Sequence, residues 1–223
     1  MKVVVGVVLV VLAAMALPLL FPPASQSTGD RVDGLPWQIE VFPDGNSRVF
    51  GLTLGVSTLA DARGRFGPDI KVAIVAAPGE TGSLEAYYED VTAGVVTGKM
   101  ILTGDVTAEA LQAMRERAPK AEYMNSNTRR ISLDAADLPT ALAAPLRSIA
   151  FIPSINLDEQ MVLQRFGAPG ERLRNSAHSE HFLYAAKGLD LVLDSEGKEL
   201  LQYVPPRLFA RLRDPLSAQA APR

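Results

Sequence analysis

The chain has 223 residues, enough to bury a core in one domain or in two small ones that share an interface. Its 22 Lys and Arg against 25 Asp and Glu leave a formal net charge of −3 with no basic block, which sets nucleic acid aside as a partner. With no cysteine, disulfides, thiolate metal sites, thiol nucleophiles and a lipid on an N-terminal cysteine are all excluded.

The opening MKVVVGVVLVVLAAMALPLLFPP is apolar from Val3 to Phe21, and at about 1.5 Å of rise per residue those 19 positions cover a hydrocarbon core of roughly 30 Å. It predicts a transmembrane anchor over residues 1–21. Lys2 and the terminal amine keep the amino end cytoplasmic, so the remainder is expected outside the inner membrane, in the periplasm of a host with two membranes. Ala14-Met15-Ala16 also supplies the small residues of a signal cleavage site, so a secreted form is the alternative, though Leu17 to Phe21 would then remain as an apolar stub. Residues 22–35, rich in Pro, Ser and Gly, read as a tether.

Alternating Trp37, Ile39 and Val41, the turn string Pro43-Asp44-Gly45 and an extended Arg48 to Leu52 predict a hairpin. A helix follows. Thr58 is its cap, Asp61 completes a capping box, and Leu59, Ala62 and Phe66 share one face; Gly67 suits a positive φ past its end and Pro68 stops it. Strands are predicted over Ile70 to Ala76, Leu84 to Asp90 and Val95 to Leu102. A second helix runs from Thr107 to Ala118, with a polar strand from Glu122 to Leu133 and a helical turn capped by Asp137 after it.

From Arg147 the order repeats. Arg147 to Ile152 is extended, Asn156 is the expected cap with Glu159 three residues on, Val162 and Phe166 share a face, and Gly167 and Pro169 end the helix. A polar stretch near Leu173 and strands over His181 to Ala186, Leu189 to Leu193 and Lys198 to Val204 complete it. The tripeptide Arg-Phe-Gly therefore closes the same helix twice, at Phe66-Gly67 and Phe166-Gly167, in an internal duplication. Such short helices depend on docking, here through the terminal Phe onto a sheet. The predicted fold class is α+β: a first half over 36–133 and a second over 134–213, each a short helix on an antiparallel sheet, with a disordered tail over 214–223.

A strand, a short helix ending in Phe-Gly and an antiparallel meander with aromatics in Glu85-Ala86-Tyr87-Tyr88 and Glu180-His181-Phe182-Leu183-Tyr184 resemble the small envelope lipoproteins of the SmpA/OmlA (BamE-like) type. They also resemble the wider group with the fold of the β-lactamase inhibitor protein, where such units occur in tandem. The resemblance implies a non-catalytic protein-binding module, with another envelope protein as partner. Members of the lipoprotein type carry an acylated cysteine, and this chain has none.

Chemistry is sparse in the rest of the sequence. His178 and His181, three apart on a strand, point to opposite faces, so no metal and no cofactor is expected, and Glu180 diverges from His181. A hydrolytic enzyme using His178, Glu180 and His181 is the alternative function; no G-x-S-x-G string supports it, and the loop Ala77 to Gly82 lacks the Lys of a P-loop. The expected interaction surface comprises Tyr87, Tyr88, Tyr184 and Tyr203 with Arg129 and Arg130, since Tyr and Arg are enriched at interface hot spots. Alternation allows only one of Tyr87 and Tyr88 to face outward.

Overall fold

The computed structural model describes residues 32–124 and 127–220. The expected anchor over 1–21, and the tether as far as residue 31, lie outside the described residues. No helix among the described residues is long and apolar enough to cross a membrane.

From Asp33 onward the chain forms one compact unit. It opens with three short strands, β1 (Glu40–Val41), β2 (Ser47–Val49) and β3 (Leu52–Thr53), paired in that order as a small antiparallel sheet. The expected continuous extended run from Arg48 to Leu52 is broken: Phe50 and Gly51 have φ of 56° and 74° and form a two-residue hairpin turn between Val49 and Leu52. A Phe is strained in this region. Burial offsets the cost, because Phe50 is fully buried with its ring 5.2 Å from Phe151 and 5.3 Å from Tyr203.

Helix α1 (Leu59–Phe66) starts at Thr58 with both bonds of the predicted capping box and ends at Gly67, whose φ of 100° only glycine adopts readily. After it come β4 (Lys71–Ala76), β5 (Ser83–Ala93), β6 (Val96–Gly104) and α2 (Ala108–Arg117), capped by Thr107. In place of a single polar strand, β7 (Lys120–Tyr123) and β8 (Arg129–Ser132) form a hairpin with Asn127 at φ 59° in its turn. In α3 (Leu138–Leu142) Asp137 makes no side-chain cap bond; its carboxylate takes a two-pronged ion pair from Arg117 at 2.6 and 3.1 Å instead.

Strand β9 (Leu146–Pro153) leads to α4 (Glu159–Phe166). Its cap is Asp158, which accepts from Met161 N at 2.7 Å; the expected cap Asn156 instead accepts from Lys198 Nζ. Then follow β10 (Glu171–Arg174), β11 (Ser179–Tyr184), β12 (Leu189–Asp194) and β13 (Leu200–Tyr203). The chain continues as α5 (Ala210–Ala220), so residues 214–220, expected to be disordered, are helical. Phe209, Leu212 and Leu216 explain this, because Phe209 is buried and the two leucines are partly buried against Leu173, Leu183 and Val204.

The ten long-sheet strands lie in the order β10-β11-β12-β13-β9-β6-β5-β4-β8-β7, every pair antiparallel. The α+β class is as predicted. One face, the inner one, carries Ile74, Leu84, Tyr88, Met100, Leu102, Ile149, Phe151, Phe182, Leu191 and Leu201, and α1 to α4 add Leu59, Ala62, Leu111, Met114, Ala141, Val162 and Phe166 to the same core. The two extended segments expected to correspond do not: Arg147 to Ile152 lies in β9 at the centre of the large sheet, whereas Arg48 and Val49 belong to the small one.

Candidate functional site

Alternation along each strand determines which side chains face away from the helices. On β5 these are Glu85, Tyr87 and Glu89, and the register carries the rows across: Lys71, Tyr87, Ile101, Ala150 and Gln202 stand in line on five adjacent strands, and Ala73, Glu85, Thr103 and Ser148 form a second row. Ala73, Tyr87, Ile101, Thr103, Ser148, Ala150 and Ile152 are half-buried, with no second layer over them among the described residues. Among the described residues this outer face is covered at its far end alone, where α5 lies over β10 and β11.

Polar groups on the face are tied to one another. Tyr87 Oη donates to Glu89 Oε2 at 2.6 Å and Lys99 Nζ to Glu89 Oε1 at 2.6 Å, and the Lys99 bond, then the Tyr87 bond, hold the Glu89 carboxyl below its usual range. Near the middle, Glu85 accepts from Ser83 Oγ at 2.7 Å, yet burial raises its pKa. Where the open strands meet α5, a groove of about 290 Å³ is lined by Arg147, Ser148, Ala150, Gln202, Arg211 and Leu212, and neither arginine forms an ion pair within 4 Å among the described residues.

Of the tyrosines expected at the surface, only Tyr87 is there. Tyr88, Tyr184 and Tyr203 are 1, 5 and 1 % exposed, all on the inner face, which corrects that expectation. Their hydroxyls are used in the core. Tyr88 Oη donates to the Gly67 carbonyl at 3.0 Å, Tyr184 Oη to the Gly167 carbonyl at 3.0 Å, and Tyr203 Oη to the Pro36 carbonyl at 2.9 Å. Each of the first two also places its ring against the helix-terminal Phe, at 5.9 Å for Tyr88 on Phe66 and 6.1 Å for Tyr184 on Phe166. Burial pushes the Tyr88 and Tyr184 pKa values up to about 12 and Tyr203 well above its usual range.

Arg129 and Arg130 are neighbours in sequence and therefore on opposite faces. Arg130 pairs with Glu122 at 2.9 Å on the outer face. Arg129 stacks over Tyr123 at 6.0 Å on the helix side, and with Arg115, Asn127 and the Pro78 to Thr81 loop these two line a cleft of about 520 Å³. Tyr123, 76 % exposed, is the outward tyrosine next to an arginine that the sequence reading assigned elsewhere.

The histidines do not converge. His178 is exposed and lies 3.2 Å from Glu196. His181 is buried, its Nδ1 3.0 Å from both Asp190 oxygens and its Nε2 3.0 Å from Asn175 Nδ2. With Nδ1–H donating to the carboxylate, Nε2 accepts from the amide, so neither nitrogen offers a free lone pair to a substrate. Glu180 points to the other face; burial works to raise its pKa, but bonds from Arg172 and Arg174 outweigh it and leave it lowered. No group of three His, Asp or Glu among the described residues is placed to hold a metal. Asp190, the true partner of His181, was missed, although both polar residues interrupt apolar strands and share the outer face. No protein-family model, curated protein or solved structure matches this chain.

Proposed function

We propose that the chain is a membrane-tethered envelope protein whose folded part, made of two similar halves, binds another protein on the outer face of its sheet without catalysing a reaction. The observation that carries this reading is the row Tyr87, Ile101 and Ala150, aromatic and apolar, half-buried and without a covering layer among the described residues, on a sheet whose other face is filled by four helices. A family of the BamE-like type and a periplasmic site fit the same reading.

The two halves are supported by register as well as by motif. Four residues past Gly67, Lys71 stands opposite Tyr87, and the next residue is the latch Tyr88; four residues past Gly167, Glu171 stands opposite Leu183, and the next residue is the latch Tyr184. Against the hydrolytic alternative stand the engagement of both His181 nitrogens and the divergence of His178 and Glu180.

The test is affinity capture of the full chain from detergent-solubilised membranes, wild type against Ile101→Glu. A protein that co-purifies with the wild type and is lost with the variant is the expected result. An identical set of captured proteins would rule out the outer face.

A further inference from the structure

One end of the outer face already has a helix on it. Over β10 and β11, Phe209 and, from α5, Leu212 and Leu216 pack on Leu183, which is fully buried, and on Leu173, which is partly buried, and Arg213 clamps Glu171 through Nε at 2.7 Å and Nη2 at 3.2 Å. By the register that aligns Glu171 with Lys71, the positions matching Leu173 and Leu183 are Ala73 and Tyr87; Leu183 is buried, whereas Tyr87 is only half-buried. The same structural address is covered in one half and open in the other.

Dimensions and charge say what fits there. Four adjacent strands, β4, β5, β6 and β9, span about 14 Å at roughly 4.8 Å per spacing, which is room for one helix of about 10 Å diameter beside α5. The groove along α5 is continuous with this strip and presents Arg147 and Arg211 to it. Lys71, exposed on the outer face, stands where Glu171 receives Arg213. A basic residue on the occupant would be repelled at the position where α5 carries Arg213, and an acidic one attracted.

We propose that the outer face of β4, β5, β6 and β9 docks an amphipathic α-helix of another protein, laid on it as α5 is laid on β10 and β11, with an acidic side chain meeting Lys71. This deepens the protein-binding reading above and rests on it.

Two fluorescent peptides spanning residues 205–220, one of natural sequence and one with Arg213→Glu, are titrated with the full chain in detergent and followed by anisotropy. The expected result is that the Arg213→Glu peptide binds several-fold tighter, and that Lys71→Glu in the protein, an exposed change, reverses the order. Absence of binding by either peptide, or equal affinities that Lys71→Glu leaves unchanged, overturns the inference. If that happens while Ile101→Glu still releases a captured protein, only the helix is lost; if Ile101→Glu releases nothing, the binding reading itself falls.

Discussion

The phenolic oxygen of Tyr88 donates to the carbonyl of Gly67 at 3.0 Å, fastening the stop of α1 to the strand that passes beneath it. A hundred residues later Gly167 is held by Tyr184 in the same way and at the same distance. An eight-residue helix is marginal alone, so these latches, together with the Phe–Tyr ring contacts, keep each helix on the sheet.

Tyr88→Phe and Tyr184→Phe should therefore each cost about 1 kcal/mol, the worth of one hydrogen bond, and the two losses should be similar. Urea unfolding of the two variants measures this directly. A negligible loss in one half and a large loss in the other would break the correspondence between them.

The same tyrosines set an alkaline limit. Burial raises both pKa values to about 12, above the value near 10 of an unfolded Tyr, so their contribution is complete below pH 10 and is lost as pH climbs toward 12. Urea midpoints should fall over that interval in the wild type and fall less steeply in the Tyr88→Phe, Tyr184→Phe double variant.

Phe50 combines a positive φ with full burial against Phe151 and Tyr203. Phe50→Ala should destabilise by about 3–5 kcal/mol. Phe50→Gly relaxes the backbone at that turn and should still lose most of this, because the cavity outweighs the strain. A Gly variant as stable as the wild type would show that strain dominates.

Two glycines should behave oppositely. A Cβ on Gly98 would lie 2.4 Å from the Ile152 carbonyl and 2.7 Å from the Phe151 ring, so Gly98→Ala should cost about 1–3 kcal/mol. At Gly64, inside α1, a Cβ meets nothing within 4 Å, and Gly64→Ala should stabilise by about 0.5–1 kcal/mol. Melting temperatures of the pair provide the check.

Asp190→Ala leaves the His181 Nδ1–H without its acceptor in a buried site and should cost about 1–3 kcal/mol, whereas His178→Ala on the exposed turn should change stability by less than about 0.5 kcal/mol. Comparable losses for both would contradict a purely structural role for the His181 network.

Much of the fold was legible because its signals are local. Thr58 with Asp61, Phe66 with Gly67, and Thr107 act within one turn of chain, and the strands from Lys71 to Gly104 carry their alternation openly. Long-range facts were not: the burial of Tyr88, Tyr184 and Tyr203 depends on which face the helices take, and the pairing of His181 with Asp190 on a strand register. The helical end of the chain was hidden by Pro215 and by polar composition, while Phe209, Leu212 and Leu216 acquire their meaning only when β10 and β11 provide a surface. The open row from Tyr87 to Ala150 likewise exists only once β9 is inserted next to β6.

The most direct measurement is site-specific photo-crosslinking of the full chain in intact cells, with the photoreactive residue placed in turn at Ile101, Ala150, Tyr123 and Gln112. A discrete adduct of the same mass is predicted from Ile101 and Ala150 and none from Gln112. Adducts from Tyr123 alone would move the interface to the cleft beside β7, and a blank outer face would contradict the binding reading outright.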